Sequence, residues 1–349
     1  MKSRDLVLGI IGVFIFTALP IVAAHVPVGS GNNDHIDTAL EFDTPTKSWV
    51  IYEHLNSSAK YYHVDLDAGQ RIVVNTFIPR REYSSGFVPS IVIMGPGLAN
   101  STTPPPAYIE KPVEEGGPGI YNGFYYVQGV MPAEPAYEPF TPASDFYTTN
   151  INWSINITGH YYIAVLANNM TGDFGMAEGY IEQFSFTDWV TIPFSLVTIH
   201  LWEGQNWFVI FLPLIGVIAV GIIFMVTRQV KQKKSPATLQ GWLIGLAGLV
   251  IVGSGAMTLQ QMVIAVVGTP VAAELLISLI FVALPILLGA VLFKNAFFVD
   301  QSFLTKDRIK IAVYGGLAIA IWAGFWVATG LAIAAAFVGL KRKAAADKK

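Results

Sequence analysis

The order of apolar and polar positions changes character along the chain, and each change predicts a different kind of element. Lys2 and Arg4 precede an apolar run from Leu6 to Ala24 that ends on Val22-Ala23-Ala24. A basic flank, an apolar stretch and a small-residue end predict a secretory signal peptide over 1–24. The run is also long enough to stay as an N-terminal membrane anchor. Either way, the segment after Ala24 is expected to be exported.

From Ser48 to Phe186 the pattern becomes short alternating runs. SWVIYEHL, AKYYHVDL, RIVVNTF, PSIVIM, YNGFYYVQGV, YTTNINWSI, HYYIAVL and EGYIEQFSF are rich in β-branched and aromatic residues. Asp67-Ala68-Gly69, Gly95-Pro96-Gly97 and Thr158-Gly159 fall between them as turns. About eight strands at this spacing predict an antiparallel sandwich, jelly-roll-like, over 25–186. Residues 96–142 hold ten of the twenty prolines and are expected to form a long surface excursion.

Beyond Ser185 the alternation gives way to longer apolar stretches. Residues 187–206, with Trp189 and Trp202, predict an amphipathic elbow near lipid headgroups, and Trp207 follows directly. Residues 207–226, 242–261, 271–293 and 311–340 predict four membrane spans within an all-α region from 207 to 340. The last run is long enough to tilt. Arg228, Lys231, Lys233 and Lys234 mark one loop as cytoplasmic, and Lys294, Lys306, Arg308 and Lys310 mark another on the same side. The tail 341–349 conflicts with this. Four spans starting from an exterior domain put Lys341-Arg342-Lys343 outside, so the last segment is irregular or a partner overrides the rule.

Composition sharpens the division. Of 349 residues, 53% are hydrophobic and only 13% charged. That excludes one soluble domain, a disordered chain and a nucleic-acid binder resting on a basic patch. The net charge of −3 conceals 6 Lys/Arg against 19 Asp/Glu in residues 25–206, and 15 against 5 elsewhere. Five acceptor sequons begin at Asn56, Asn100, Asn152, Asn156 and Asn169, where chance gives roughly two. They predict a glycosylated exterior face, as on an archaeal or eukaryotic cell. The absence of cysteine excludes a disulfide scaffold, iron–sulfur centres and a blue-copper site.

Candidate chemistry is sparse. All six histidines (His25, His35, His54, His63, His160 and His200) lie before the predicted spans, which excludes axial histidine ligation of haem among them. Processing after Ala24 would leave His25 as the N-terminal residue, able to bind copper through its amine and ring. His54 and His63, on neighbouring predicted strands, are candidates for a second imidazole. The one ionisable group within a predicted span is Glu274, expected near the exterior interface and otherwise a candidate ion site. Asp65 and Asp67 read as strand-end and turn residues, and Glu114/Glu115 are placed in no cleft. No phosphate loop, Gly-x-Ser-x-Gly elbow or His-Glu-x-x-His helix is present. YNGFYYVQGV and YEPFTPASDFYTT can line a surface for glycans or a partner, although alternation turns about half of the rings in the first run inward.

YYHVDLDAGQRIVVNTF, PSIVIMGPG and ITGHYYIAVLANN, followed by GYIEQF, resemble the pre-peptidase C-terminal β-sandwich. Ala68-Gly69, Pro96-Gly97 and Gly159-His-Tyr-Tyr162 occupy that family's Ala-Gly, Pro-Gly and Gly-x-Tyr-Tyr places. The resemblance implies a non-catalytic module for adhesion, glycan or protein contact, or support of a neighbouring domain. The whole arrangement is similar to archaeal multi-span membrane proteins with EPFT and WEGQ segments, here Glu138–Thr141 and Trp202–Gln205.

The sequence thus predicts a non-enzymatic cell-membrane protein. Its exterior sandwich, residues 25–206 with the elbow, is expected to bind or brace other membrane or envelope proteins, or glycans, and to need no cofactor. A copper-binding or oxidase-accessory subunit using His25, His54 and His63 is the alternative, and a transporter subunit the third.

Overall fold

The computed structural model describes residues 25–112, 123–234, 236, 238–299 and 304–338. The expected signal or anchor at 1–24, Glu114/Glu115 and the tail 341–349 lie outside the described residues. The chain forms two compact units. One holds Met1–Pro132 with Phe146–Ser185, and the other Ala133–Asp145 with Phe186–Lys349.

The first unit is a sandwich of two sheets. Its strands are β1 (Val26–Val28), β2 (Leu40–Glu41), β3 (Trp49–Leu55), β4 (Lys60–Leu66), β5 (Arg71–Pro79), β6 (Ser90–Gly95), β7 (Gly123–Val127), β9 (Ala143–Ser154) from Phe146 on, β10 (Gly159–Leu166) and β11 (Gly172–Glu178), while the short β8 (Ala136–Glu138) and the start of β9, which pair, belong to the second unit. One sheet runs β1-β3-β11-β5-β9-β8, the other β2-β4-β10-β6-β7. Alternation does the sorting: Tyr62, Val64 and Leu66 of β4 face Ile51, Ile72 and Phe174 in the core between the sheets. The outer face of the second sheet buries a smaller cluster, where Tyr61, Val92, Met94 and Leu166 meet Ile109.

The three turn motifs lock together. Tyr161 donates its hydroxyl to the carbonyls of Pro96 (2.9 Å) and Ile157 (2.6 Å). The Ala68 amide donates to Thr158 Oγ1 at 2.9 Å, and the Gly69 amide to the Ile155 carbonyl at 2.8 Å. A β-carbon on Gly159 would stand 2.7 Å from the Pro96 ring, so close approach requires glycine there.

Three expectations are corrected. The closing strand is Gly172–Glu178 and not 178–186: Gly179 at φ +87° ends it, and Ile181 makes only a single bridge to Lys47. Its small residues hid it, since a β-carbon on Gly175 would lie 2.1 Å from the Phe77 ring. The sandwich is not contiguous over 25–186, because 133–145 packs with the helices. The proline-rich stretch 96–142 is therefore not simply a surface excursion: Ile109 and Tyr137 in it are buried.

The second unit is helical: α1 (Phe186–Trp202), α2 (Trp207–Val230), α3 (Leu239–Val266), α4 (Leu275–Asn295), α5 (Thr305–Ala320) and α6 (Val327–Phe337). Three helices are long and apolar enough to cross a membrane, namely Trp207–Val230, Leu239–Val266 and Leu275–Phe298. Asn206 and Thr238 cap α2 and α3 by accepting from the Val209 and Gly241 amides. α3 is the most buried of the three. It meets α4 through glycine: a β-carbon on Gly248 would lie 2.7 Å from the Gly289 carbonyl oxygen.

The single span expected over 311–340 is instead a hairpin. α5 ends at Ala320, and the chain turns through Trp322, Gly324, Phe325 and Trp326, all with positive φ. α6 then returns along α5. Thr329 donates to the Gly315 carbonyl at 2.6 Å, and Arg308 Nη1 donates to the carbonyls of Ala336 (2.7 Å) and Val338 (2.6 Å). Sixteen and eleven residues reach only about 24 and 17 Å, short of a hydrocarbon layer of ~30 Å. Stacking of Trp322 on Phe281 (5.0 Å) and its tilted contact with Trp189 (4.9 Å) hold the turn, and Ser254 accepts from the Gly324 amide at 2.8 Å.

Candidate functional sites

In the sandwich, β4 and β10 place three metal-ligating side chains on one face. His63 and Asp65 are two residues apart on β4, and His160 lies directly opposite Asp65 on β10. His63 Nε2 is 2.9 Å from Asp65 Oδ1 and 3.1 Å from His160 Nδ1, and His160 Nδ1 also bonds Asp65 Oδ1. The His63 ring stacks on Tyr162, its neighbour in register, at 5.0 Å. Glu41 of β2 stands opposite His63 on the other side. Among the described residues this is the group of three or more metal-ligating side chains that converges.

The structure does not bring His25, His54 and His63 together. His25 Nδ1 bonds Ser48 Oγ at 2.5 Å, and burial lowers its ring pKa to about 4. His54 is on the other sheet, where it and Arg81 both bond Asp173. His63 joins His160 instead, a residue to which the sequence pattern assigned no role. The pairing was present as His63-x-Asp65 at strand spacing and as a histidine directly after the Gly159 turn. What the sequence alone lacks is the register that sets His160 opposite Asp65. Asn56, Asn100, Asn152, Asn156 and Asn169 are all exposed on the sandwich unit.

Within the helical unit, Phe140 of the EPFT segment lines a cavity of about 60 Å³, room for roughly two waters, and Glu203 and Gln205 of WEGQ bond two other lining residues, His200 and Gln261. Phe140 and Pro142 line it together with His200 and Gln261. Tyr137 donates to Ser278 Oγ, which donates in turn to the Pro139 carbonyl, both at 2.7 Å. Gly204, at φ +94°, turns the chain after α1 so that His200 Nδ1 meets Glu203 Oε2 at 2.6 Å. Gln205 and Gln261 exchange amide bonds of 2.7 and 2.9 Å. Burial holds the Asp145 carboxyl well above the usual range, and the charges of Glu203 and Glu138 push it the same way. Sequence reasoning missed this cluster, although His200-x-x-Glu203 at helical spacing signalled it. Glu274 is exposed immediately before α4.

No protein-family model and no curated protein sequence matches the chain. Among solved structures, the chain is similar to the pre-peptidase C-terminal domain of collagenase from Bacillus anthracis. Identity is 13%, over 40% of this chain and 93% of that domain, at a TM-score of 0.22. The assignment of a two-sheet β domain followed by membrane-length helices rests on the sheets and helices themselves.

Proposed function

We propose that this is a non-enzymatic, membrane-anchored surface protein whose exported sandwich binds or braces a partner within a larger membrane or envelope complex. One observation carries the reading: all five acceptor asparagines are solvent-exposed, and all sit on the sandwich unit. Acceptor sites have to reach water and the modifying enzyme, so their distribution supports an exterior sandwich. The returning hairpin supports the same orientation. The end of α6 lies beside Arg308, near the basic residues that open α5, in keeping with the positive-inside tendency.

Protease treatment of intact cells, glycan mass spectrometry and cross-linking before extraction in mild detergent test this reading. Cleavage within 25–185, sugar on at least one of the five asparagines and a reproducible cross-linked partner are expected. An uncut, unmodified and solitary chain would overturn it.

A further inference from the structure

We infer that the outer face of the second sheet carries a binding site for one divalent first-row transition ion of the zinc and copper class, held by His63, Asp65 and His160. The inference stands on the β4–β10 geometry and does not depend on the proposed function. Ligand atoms at about 2.0–2.1 Å from a tetrahedral ion stand about 3.3 Å from one another. The 2.9 and 3.1 Å separations around His63 Nε2 differ from that by only a few tenths of an ångström. Small rotations of side chains on a fixed sheet are enough to close the difference.

The donor set selects the class. Two imidazoles and one carboxylate suit zinc, copper, nickel or iron, whereas calcium and magnesium take oxygen ligands. Copper(II) binds such donors most tightly in the divalent series. The site is also built to stay in place. His63 is the less exposed imidazole, with 17% of its side chain accessible, and Tyr162 stacks on its ring. Asp65 and His160 are more than half exposed, leaving an open side for water, for Glu41 or for an incoming ligand. Two ring nitrogens and a carboxylate oxygen directed at one another need shared protons to coexist, and a cation replaces those protons.

Equilibrium dialysis of the full-length chain in detergent against zinc, then copper, with metal analysis of the protein, tests the site. One zinc per chain is expected, weakened roughly 100-fold or more by His63→Gln or His160→Asn. His54→Gln, on the other sheet, should leave binding unchanged. Thermal unfolding of each variant in chelator verifies that it folds. In the unsubstituted chain, bound zinc should protect His63 and His160, but not His54, from histidine-specific acylation. No stoichiometric metal, binding that survives both substitutions, or equal loss with His54→Gln overturns the site. So does copper that is lost only with His25→Gln, which assigns the metal to the N-terminus.

Discussion

Replacing Glu178 with glutamine should stabilise the sandwich increasingly as pH rises. Glu178 ends β11, opposite Trp49 of β3 and Val74 of β5, and it is fully buried. Neither of its carboxyl oxygens meets a hydrogen-bond partner among the described residues. Burial pushes this carboxyl well above its ordinary value of 4.5. The folded chain therefore keeps a proton that the unfolded chain releases. Stability from this group is fully present below about 4.5 and is lost as pH climbs toward the folded value. The slope is about 1.4 kcal/mol for each pH unit in that window. The glutamine of Glu178→Gln has no proton to lose, so the difference between variant and parent should be small in acid and grow by about 1.4 kcal/mol per unit above it. Whole-chain melting mixes two compact units, so hydrogen exchange of the β3 and β11 amides is the better assay, read as local opening free energy in both proteins. A difference that stays constant between about pH 4 and pH 8, or that grows in the opposite sense, refutes the assignment of a buried neutral acid.

Gly175→Ala should destabilise the sandwich by about 1–3 kcal/mol, because the new methyl meets the Phe77 ring at 2.1 Å; Phe77→Leu should recover part of the loss in a thermal melt. Tyr161→Phe removes the hydroxyl shared by the Pro96 and Ile157 carbonyls and should cost about 1–3 kcal/mol, visible as faster exchange at both turns. Because the chain has no cysteine, single cysteines can be placed without background. A cysteine at Lys233 and one at Lys343 should label from the same side of sealed vesicles, and one at Asn56 from the other. Arg308→Met removes both bonds to the end of α6, so protease should then cut the chain after Phe337 sooner than in the parent.

Much of the sandwich was legible because alternation reports directly on which face is wet. The runs at 48–55, 59–66, 71–77 and 160–166 match β3, β4, β5 and β10 to within two residues at each end. Strand β11 was not legible, because GDFGMAE answers to the Phe77 and Phe87 rings that press on its glycines rather than to strand propensity. Hydropathy found the three long helices but joined α5 to α6, since an apolar average does not record the direction of the backbone. The IWAGFW segment reads as membrane filler. Only its tertiary partners, Phe281, Trp189 and Ser254, show it to be a turn. The same limit applied to the metal cluster: His63 and Asp65 were visible as a strand pair, but no local pattern joined them to a histidine 95 residues beyond Asp65.

The α5–α6 hairpin returns the chain to its starting point, so that the end of α6 lies beside Arg308 in the first turn of α5. The turn from Trp322 to Trp326 is set by packing, with Trp322 on Phe281 and the Gly324 amide on Ser254. A fusion appended after Val338 would start beside Arg308, in the first turn of α5, only while the hairpin is formed.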